Sequence, residues 1–461
     1  MNPELITERL QEFANTFDIP GLAVRAVHQG EVLYEGLIGY RDIEAKLPVT
    51  KDTYFGLASV SKSFIGLLLV CLEADGVLSL DDEVTKFLPD FSYPGLEKRP
   101  PVRVKNLVNH SSGIPPLRGL DYALEPWQRN DPVAKYSTRD YSDAPAINTS
   151  AELLAYLRRG EGPLIGNPGE YVSYSNDTYG VAGALIEAAT GRSLAHVLRE
   201  RVLAPLGLDR TTFATDVVMK DSDSAVLYTP TPDGRLRSPT WDQAPAYDAA
   251  GFLKSTISDL GKYLQFYFAN GAALGLSRAA LMKTKTALTW SAPGMAYALG
   301  WNIEHLPGMP KMVTHGGSLK GVSSRIGFLP QHQFGVAVLT NVDGVRTRPI
   351  WQAVVNIFLA RDMNEPLYNL FNRTVRRASG LLGTFTNNEP WCHLEFEKDG
   401  RNITMFSGDD RELVGTVFLL DSDEFLVRAA DGIWEGGRVH RTNSGDIHAL
   451  QFGMRWYHRV D

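Results

Sequence analysis

The chain has little cysteine and no long apolar run, and each absence narrows the classes of protein to which it can belong. Only two cysteines, Cys71 and Cys392, occur among 461 residues. They are far apart and outside any CxxC or Cys/His cluster, so neither a disulfide framework nor a zinc site is predicted. No stretch of about 18 apolar residues is present, so no membrane-spanning helix is expected. The first residues, Met1 to Leu5, lack a basic region followed by an apolar core, so no signal peptide is predicted and a cytoplasmic location is expected.

A strong excess of one charge is also missing. The chain has 46 Lys and Arg against 53 Asp and Glu, a net charge of −7. A mildly acidic protein is poorly suited to general contact with a phosphate backbone, so no nucleic-acid partner is expected. No P-loop, H-E-x-x-H or G-x-S-x-G motif is present, and no cofactor or metal is predicted.

The composition and the hydrophobic pattern predict an α+β fold. Apolar residues make up 44% and charged residues 21% of the chain, as in ordinary globular proteins. Periodicity predicts strands near both ends of the first 360 residues and helices between them, so one sheet would combine the two ends. The predicted strands span 21–27, 31–37, 53–57, 297–304, 311–314, 322–328 and 333–340. The predicted helices span 4–17, 59–74, 151–158, 178–189, 194–202, 258–268, 277–285 and 348–359.

Two further segments differ from this pattern. Residues 115–147 are rich in Pro, Asp, Arg and Tyr with weak periodicity, and we interpret them as a loop-rich insertion. After about residue 379, short alternating runs separated by Asp-Gly and Ser-Gly turns predict a separate antiparallel β domain. The predicted organisation is therefore a first domain over 1–365, a connector over 366–379 and a β domain over 380–461.

The first motif with chemical meaning is Ser59-Val60-Ser61-Lys62. Residues three apart lie on one helix face, so the Lys62 amine can reach the Ser59 hydroxyl. A serine alcohol needs a base to become a good nucleophile. Burial and the positive end of the helix would both lower the pKa of a lysine there. On its own the motif is also satisfied by a capping serine and a surface lysine, although the strongly apolar helix that follows argues against a solvated lysine.

Two later motifs supply matching groups. Tyr174-Ser175-Asn176 places a phenol and an amide before a predicted helix, where Tyr174 could relay a proton and Asn176 could hold a substrate amide. His315-Gly316-Gly317-Ser318 follows a predicted strand, where the glycines would let a ligand approach closely and the Ser318 N–H could stabilise an oxyanion. Taken singly, each motif is also compatible with a buried aromatic beside a cap or with a simple turn.

Together these motifs resemble the serine β-lactamase and penicillin-binding-protein superfamily. The Tyr-Ser-Asn form and the histidine of the third motif are similar to the class C β-lactamase-like group of D,D-carboxypeptidases, D-aminopeptidases and esterases. The local sequences His110-Ser111-Ser112-Gly113-Ile114-Pro115 and Pro168-Gly169-Glu170 add to the resemblance, which covers about residues 5–360. It implies a β-lactamase-like antiparallel sheet flanked by helices with an all-helical subdomain. The C-terminal domain resembles the lipocalin-like barrel of some peptidases in this group, where it covers the active-site mouth or mediates oligomers, so a homo-oligomer is a further expectation.

The resemblance also implies roles for individual residues. Ser59 would be the acylated nucleophile, and Lys62 and Tyr174 would share proton transfer, with the base left open between them. His315 would stand where many β-lactamases carry lysine. The substrate would be bound by Asn176, Gly316, Gly317 and Ser318, with the Ser59 and Ser318 N–H groups as the oxyanion hole.

Three functions are compatible with these roles. The leading hypothesis is a serine hydrolase that forms an acyl-enzyme on peptide, amide or ester substrates, so the expected partner is a small-molecule or short-peptide substrate. The alternatives are a true β-lactamase and a penicillin-binding sensor that is acylated without turnover. A neutral histidine at position 315 predicts weaker dependence on a substrate carboxylate than a lysine would give. We interpret His110 as structural and Arg325 as a solvated strand residue that could instead reach a substrate carboxylate.

Overall fold

The computed structural model describes residues 2–136, 145–292, 294–305, 310–363, 381–387, 389, 393–399, 402–408, 411–419, 423–429 and 434–460. Helices in these residues are α1 Pro3–Thr16, α2 Ser61–Ala74, α3 Val104–Val108, α4 Gly119–Gln128, α5 Ser150–Arg159, α6 Asn176–Thr190, α7 Leu194–Leu198, α8 Thr215–Lys220, α9 Asp248–Gly251, α10 Ile257–Phe268, α11 Arg278–Lys283 and α12 Thr347–Phe358. Short 3-10 helices include Ala58–Val60 and Pro132–Tyr136, and a π-helical turn spans Arg199–Leu203.

The strands of the first 340 residues form one large antiparallel sheet and two small ribbons. They are β1 Gly21–His28, β2 Glu31–Asp42, β3 Leu47–Pro48, β4 Phe55–Gly56, β5 Leu227–Thr231, β6 Gly234–Ser238, β7 Lys254–Ser255, β8 Thr289–Ala292, β9 Met295–Tyr297, β10 Asn302–Glu304, β11 Met312–Leu319, β12 Val322–Leu329 and β13 Phe334–Thr340. The large sheet has the order β3-β2-β1-β13-β12-β11-β10-β9-β8, while β4 pairs with β7 and β5 with β6.

The two ends of this region meet in the middle of the sheet, as the sequence predicts. Strand β1 pairs with β2 on one side and with β13 on the other, so that Leu22 lies opposite Thr340. Successive side chains of a strand point to opposite faces. On one face Leu22 and Val24 pack in a core with α1 and α12. On the other face Ala23 and Val27 join the larger core that includes α2 and α10.

Helix α2 is the central helix of the molecule. All of its residues from Ser61 to Leu72 are buried, so it lacks the polar face of a surface helix. It ends at Ala74, Asp75 is its C-cap, and Gly76 follows with φ +73°, the left-handed conformation in which glycine commonly terminates helices. The Lys62 side chain is therefore held inside the protein by the helix that carries it.

The C-terminal strands close into a barrel. They are β14 Gly383–Thr386, β15 His393–Asp399, β16 Asn402–Ser407, β17 Glu412–Leu419, β18 Glu424–Ala429, β19 Trp434–Arg441, β20 Ile447–Phe452 and β21 Arg455–Arg459. Each strand pairs with the next, and β14 pairs with β21. This up-and-down closure removes free strand edges. It confirms the predicted C-terminal barrel, and strands β19 and β20 lie against β8, the edge strand of the large sheet.

The structure confirms the α+β class and most predicted elements, with two corrections. Residues 119–128 of the interpreted loop-rich insertion form α4, and 132–136 form a 3-10 helix; residues 137–144 lie outside the described part. The single strand predicted over 297–304 is two strands separated at Gly300, whose φ is +79°.

The predicted connector, 366–379, and Cys392 also lie outside the described residues, so the domain limits stay a prediction. Cys71 is buried and free, and no helix of the described residues is long and apolar enough to cross a membrane.

Candidate active site

The Ser59 hydroxyl lies at the start of the central helix. Ser59 is in the 3-10 turn Ala58–Val60, directly before α2. Ala58 has φ +45°, an uncommon conformation for a residue with a side chain. Strained backbone of this kind persists only where surrounding contacts hold it, and it concentrates at functional sites. The Ser61 hydroxyl, which donates to the Ala58 carbonyl at 2.7 Å, is one such contact.

Lys62 lies beneath Ser59, and three oxygen atoms surround its amine. Nζ is 3.1 Å from Ser59 Oγ, 2.8 Å from Asn176 Oδ1 and 2.5 Å from the Ala250 carbonyl oxygen. Its side chain is 0% exposed. Burial, with a smaller contribution from the charge of Arg455, holds the pKa of Lys62 well below its ordinary value. The predicted pairing of Ser59 and Lys62 therefore has its expected geometry, and burial favours the neutral amine.

Tyr174 comes to the same point from the loop before α6. Ser175 caps α6 by accepting the Thr178 N–H at 3.2 Å, which places Tyr174 and Asn176 on either side of the helix start. Lys62 Nζ lies 4.8 Å from the centre of the Tyr174 ring. Burial raises the pKa of the Tyr174 phenol, and the Ser59 hydroxyl and the charge of Arg455 partly oppose this rise. The phenol is therefore protonated at neutral pH.

His110 supports this loop. Its Nδ1 accepts the Ser175 N–H at 3.1 Å, and its ring centre lies 4.2 Å from that of Tyr174. Burial holds its pKa well below the ordinary value, so the ring is neutral. This geometry agrees with a structural role for His110.

His315 is a neutral histidine whose two ring nitrogens are both engaged. The Gly316 carbonyl can only accept, so the contact of 2.6 Å assigns the proton to Nδ1. Nε2 then accepts from the Tyr297 hydroxyl at 2.7 Å. Burial lowers the pKa of His315 to about 3. His315 therefore lines the cavity without a positive charge. The sequence analysis likewise expects a neutral side chain at position 315, in contrast to a lysine.

Gly316, Gly317 and Ser318 run past the Ser59 turn on β11. A Cβ added to Gly317 would lie 2.4 Å from the Leu57 carbonyl oxygen and 3.0 Å from Ala58 Cβ. This corrects the interpretation that the glycine makes room for a ligand, because it makes room for the turn that holds Ser59. Ser318 is exposed at the cavity wall.

These groups open into one large cavity of about 1460 Å³. Its lining includes all but one of the predicted site residues, the buried Lys62 being the exception: Ser59, Tyr174, Asn176, His315, Gly316, Gly317 and Ser318. Arg325, on β12 opposite Gly316, also lines it. Its Nε is buried and has no hydrogen-bond partner among the described residues. Arg325 is thus a half-buried residue of the cavity wall and not the fully solvated strand residue of our interpretation.

Sequence reasoning missed the part of the cavity wall that other segments contribute. The barrel supplies Glu389, Glu435, Met454 and Arg455, and the insertion supplies Asp131. Asp131 forms a buried ion pair with Lys320 at 2.7 Å, and Lys320 also pairs with Asp242 at 2.7 Å. None of these residues belongs to a motif, and no local signal connects Arg455 with Tyr174.

The described residues contain no group of three or more His, Cys, Asp or Glu side chains that could hold a metal ion.

A serine, a buried lysine and a buried tyrosine that meet between an antiparallel sheet and helices are the arrangement expected of the β-lactamase and penicillin-binding-protein class. The Beta-lactamase family model matches residues 6–356, so the chain belongs to this family. It is 27% identical over 336 residues to Protein flp of Staphylococcus aureus strain N315, covering 70% of this chain and 60% of that protein. It is also 24% identical over 332 residues to Penicillin-binding protein 4* of Bacillus subtilis strain 168, covering 69% and 67%. The chain therefore spans about 60% of the length of the Flp protein.

Solved structures match both parts of the chain. The octameric penicillin-binding protein homologue from Pyrococcus abyssi has a TM-score of 0.71 and 26% identity, covering 99% of this chain and 100% of that one. SurE solved with D-Leu has a TM-score of 0.69 and 20% identity, covering 99% of both chains. The likeness to SurE shows the fold alone.

Proposed function

We propose that this serine hydrolase forms an acyl-enzyme on Ser59 and acts on peptide, amide or ester substrates, with D-aminoacyl compounds as the preferred class. The observation that carries the proposal is the set of partners around Lys62 Nζ. The Ala250 carbonyl and Asn176 Oδ1 can only accept hydrogen bonds. A neutral amine donates its two N–H bonds to them and keeps its lone pair for the Ser59 hydroxyl. Lys62 is thereby arranged as the base that activates Ser59.

The reaction follows from this assignment. Ser59 Oγ attacks the substrate carbonyl carbon while its proton passes to Lys62 Nζ, and the carbonyl oxygen becomes an oxyanion. The backbone N–H groups of Ser59 and Ser318 stabilise that charge. The tetrahedral intermediate then expels the amine or alcohol, which takes a proton from the protonated Tyr174 phenol. Water hydrolyses the acyl-enzyme by the same groups in reverse.

The preference for D-aminoacyl substrates is the finer part of the proposal. SurE, which shares the fold, was solved with D-Leu. The preference rests on the resemblance of the Tyr174-Ser175-Asn176 motif and of His315 to a group that includes D-aminopeptidases, and the SurE structure selects leucyl compounds as probes. The cavity of about 1460 Å³ leaves room for an aminoacyl group and a leaving group.

A substrate panel tests both parts of the proposal. Wild type, Ser59→Ala and the matched control Ser63→Ala would be assayed with D- and L-leucyl p-nitroanilide and p-nitrophenyl butyrate. Ser63 is buried in the same helix, and its hydroxyl donates to the Val60 carbonyl at 2.8 Å. We expect Ser59→Ala to lose at least about 10³-fold in kcat and Ser63→Ala to retain activity. Equal rates for wild type and Ser59→Ala would reject Ser59, and faster hydrolysis of the L compound would reject the D preference.

Arg325 favours β-lactam hydrolysis as a second candidate function. Burial lowers its pKa to about 10, so the guanidinium stays charged at neutral pH. The nearby carboxylate of Glu304 is already paired with Arg348 at 2.7 Å. A charged group on the cavity wall suits a substrate carboxylate, which β-lactams carry. This argues against the weaker carboxylate dependence predicted from His315 alone, which stays untested.

The charge of Arg325 gives this candidate its own test. Arg325→Gln should lower kcat/KM for a chromogenic cephalosporin by at least about tenfold, since hydrogen bonds to charged groups contribute about 1.5–3 kcal/mol. The same variant should change hydrolysis of an uncharged p-nitrophenyl ester less than threefold. No cephalosporin turnover by wild type would reject the candidate, and a long-lived adduct on Ser59 by mass spectrometry would instead identify a penicillin-binding sensor.

We also propose a homo-oligomer, because the Pyrococcus abyssi homologue is octameric. Light scattering on the full chain at micromolar concentration should give a mass of two or more times the monomer mass of 50.9 kDa. A single monomer mass at all concentrations would contradict this proposal.

A further inference from the structure

The hairpin formed by β20 and β21 of the barrel is hydrogen-bonded to the segment that carries Tyr174. Gln451 Nε2 donates to the Val172 carbonyl at 2.5 Å. The Trp456 N–H donates to Ser173 Oγ at 3.3 Å. The Tyr174 N–H in turn donates to the Met454 carbonyl at 2.8 Å. Three consecutive residues of the segment, 172–174, therefore each have a partner on the barrel.

Apolar packing fixes the same junction. Trp456 is 2% exposed and joins Ile165 and Ala449 in a small core, with Tyr171 packed against it. The ring centres of Tyr171 and Trp456 are 4.8 Å apart. Gln451 is 1% exposed, so the hydrogen bond from its amide to the Val172 carbonyl is shielded from water. Loss of a buried partner leaves an unsatisfied carbonyl, which is more costly than loss of a surface contact.

Arg455, the first residue of β21, completes the contact. Its guanidinium carbon is 5.3 Å from the centre of the Tyr174 ring, within the range of a cation–π interaction. The side chain is also paired with Glu389 of the barrel. Lys62 Nζ lies 4.8 Å from the same ring, so the phenol ring contacts the amine of the helix and the guanidinium of the barrel.

We propose that the β20–β21 hairpin is part of the catalytic apparatus, with Gln451 and Arg455 as positioning residues that act on Lys62 through the Tyr174 segment. The proposal rests on the proposed role of Ser59, Lys62 and Tyr174. A barrel that only covered the cavity would not affect proton transfer at Ser59. Under this proposal, removal of one barrel side chain should alter that proton transfer.

The direction of the effect follows from the charges around Lys62 and Tyr174. The charged or titratable groups that face the two side chains are Ser59, His110, Tyr179, Tyr297, His315, Glu389 and Arg455. The charge of Arg455 lowers the pKa of Lys62 and that of Tyr174. Lys62 acts as a base only when neutral, so activity rises with pH through its pKa. Without the positive charge at position 455, this pKa rises and the acidic limb of the rate profile moves to higher pH.

The first experiment measures kcat, KM and the pH profile of kcat/KM with p-nitrophenyl butyrate on the full chain. Arg455→Gln should lower kcat by at least about tenfold, with a smaller change in KM, and should move the acidic limb to higher pH. Arg455→Lys should restore the position of the limb. The matched control is Arg459→Gln on the same strand, because Arg459 also lies over a ring, that of Phe385 at 5.5 Å, but outside the cavity. An unshifted limb in Arg455→Gln, or an equal shift in Arg459→Gln, would overturn the role of Arg455.

The second experiment does not depend on activity. Hydrogen exchange by mass spectrometry would follow a peptide that includes the Tyr174 amide in wild type and Gln451→Leu, a variant of similar size without the donor. Faster exchange in this peptide, with unchanged exchange in α2, supports the positioning role. Unchanged exchange at Tyr174 would overturn it. If wild type is not acylated at Ser59, the proposed function fails, while the exchange result still decides whether the hairpin holds the segment.

Discussion

A methyl group at position 317 tests whether the contact between β11 and the Ser59 turn determines the geometry for catalysis. The added Cβ would lie 2.4 Å from the Leu57 carbonyl oxygen and 2.5 Å from Ser324 Oγ. Close C–H···O contacts in proteins are about 3.3 Å or longer, so the strand and the turn must separate by about 1 Å. A displacement of about 1 Å reduces rates by about 10²-fold. We therefore expect Gly317→Ala to lose about 100-fold in kcat/KM with p-nitrophenyl butyrate.

The neighbouring glycine provides the matched control. A Cβ on Gly316 would approach Arg325 Nη2 at 2.9 Å, the end of a side chain that can move. Gly316→Ala should therefore reduce hydrolysis of the uncharged ester by less than about tenfold, a small loss because the backbone need not shift. Circular dichroism and thermal unfolding would show that both variants fold. A folded Gly317→Ala with a rate within threefold of wild type would refute the reasoning.

Three further predictions concern buried ionisable groups. Lys62→Met should reduce the rate of Ser59 acylation by at least about 10²-fold. Pulse labelling followed by mass spectrometry measures this rate, and an unchanged rate would contradict the role of Lys62 as the base. Burial raises the pKa of Asp177 to about 7, above its unfolded value, so its contribution to stability is fully present below about pH 4 and is lost as pH rises through 7. Asp177→Asn should therefore unfold with less pH dependence between pH 5 and 8 than wild type, by up to a few kcal/mol, and equal dependence would contradict this. Lys320→Met leaves Asp131 and Asp242 buried without their cation and should lower the free energy of unfolding in urea by about 3–5 kcal/mol, whereas a change below about 1 kcal/mol would show that the carboxylates find other partners.

The hydrophobic pattern predicted most of the first domain because its elements bury one face or both. The nearly continuous apolar runs of β1, β13 and α2 are local signals, and all three elements are buried in the folded protein. Helix α4 gave no such signal, since Pro126 lies inside it and a proline removes a backbone donor. The sequence pattern also did not predict the break between β9 and β10 at Gly300. A Cβ there would lie 2.2 Å from the Lys62 carbonyl oxygen, so the break depends on packing against a helix distant in sequence.

The site likewise contains residues that local motifs predicted and residues that they did not. Ser59, Lys62, Tyr174, Asn176 and His315 come together as predicted, because each belongs to a short motif with a fixed relation to a helix start or a strand. The contribution of Arg455 depends on how the barrel docks, which involves side chains hundreds of residues apart and no motif. The exposure of Arg325 was misjudged for a related reason, because burial of a strand residue depends on its neighbours in three dimensions.

The pairing of β1 with β13 has a consequence for synthesis of the protein. The ribosome makes the β1–β2 hairpin early, yet Leu22 cannot meet Thr340 until about 300 more residues have been added, which takes roughly 15–60 s at ordinary elongation rates. During this time the hairpin presents an unpaired edge and apolar side chains on both faces, a template for aggregation. The nascent chain is therefore expected to depend on chaperones, and slow refolding after dilution from denaturant should be limited by this long-range closure.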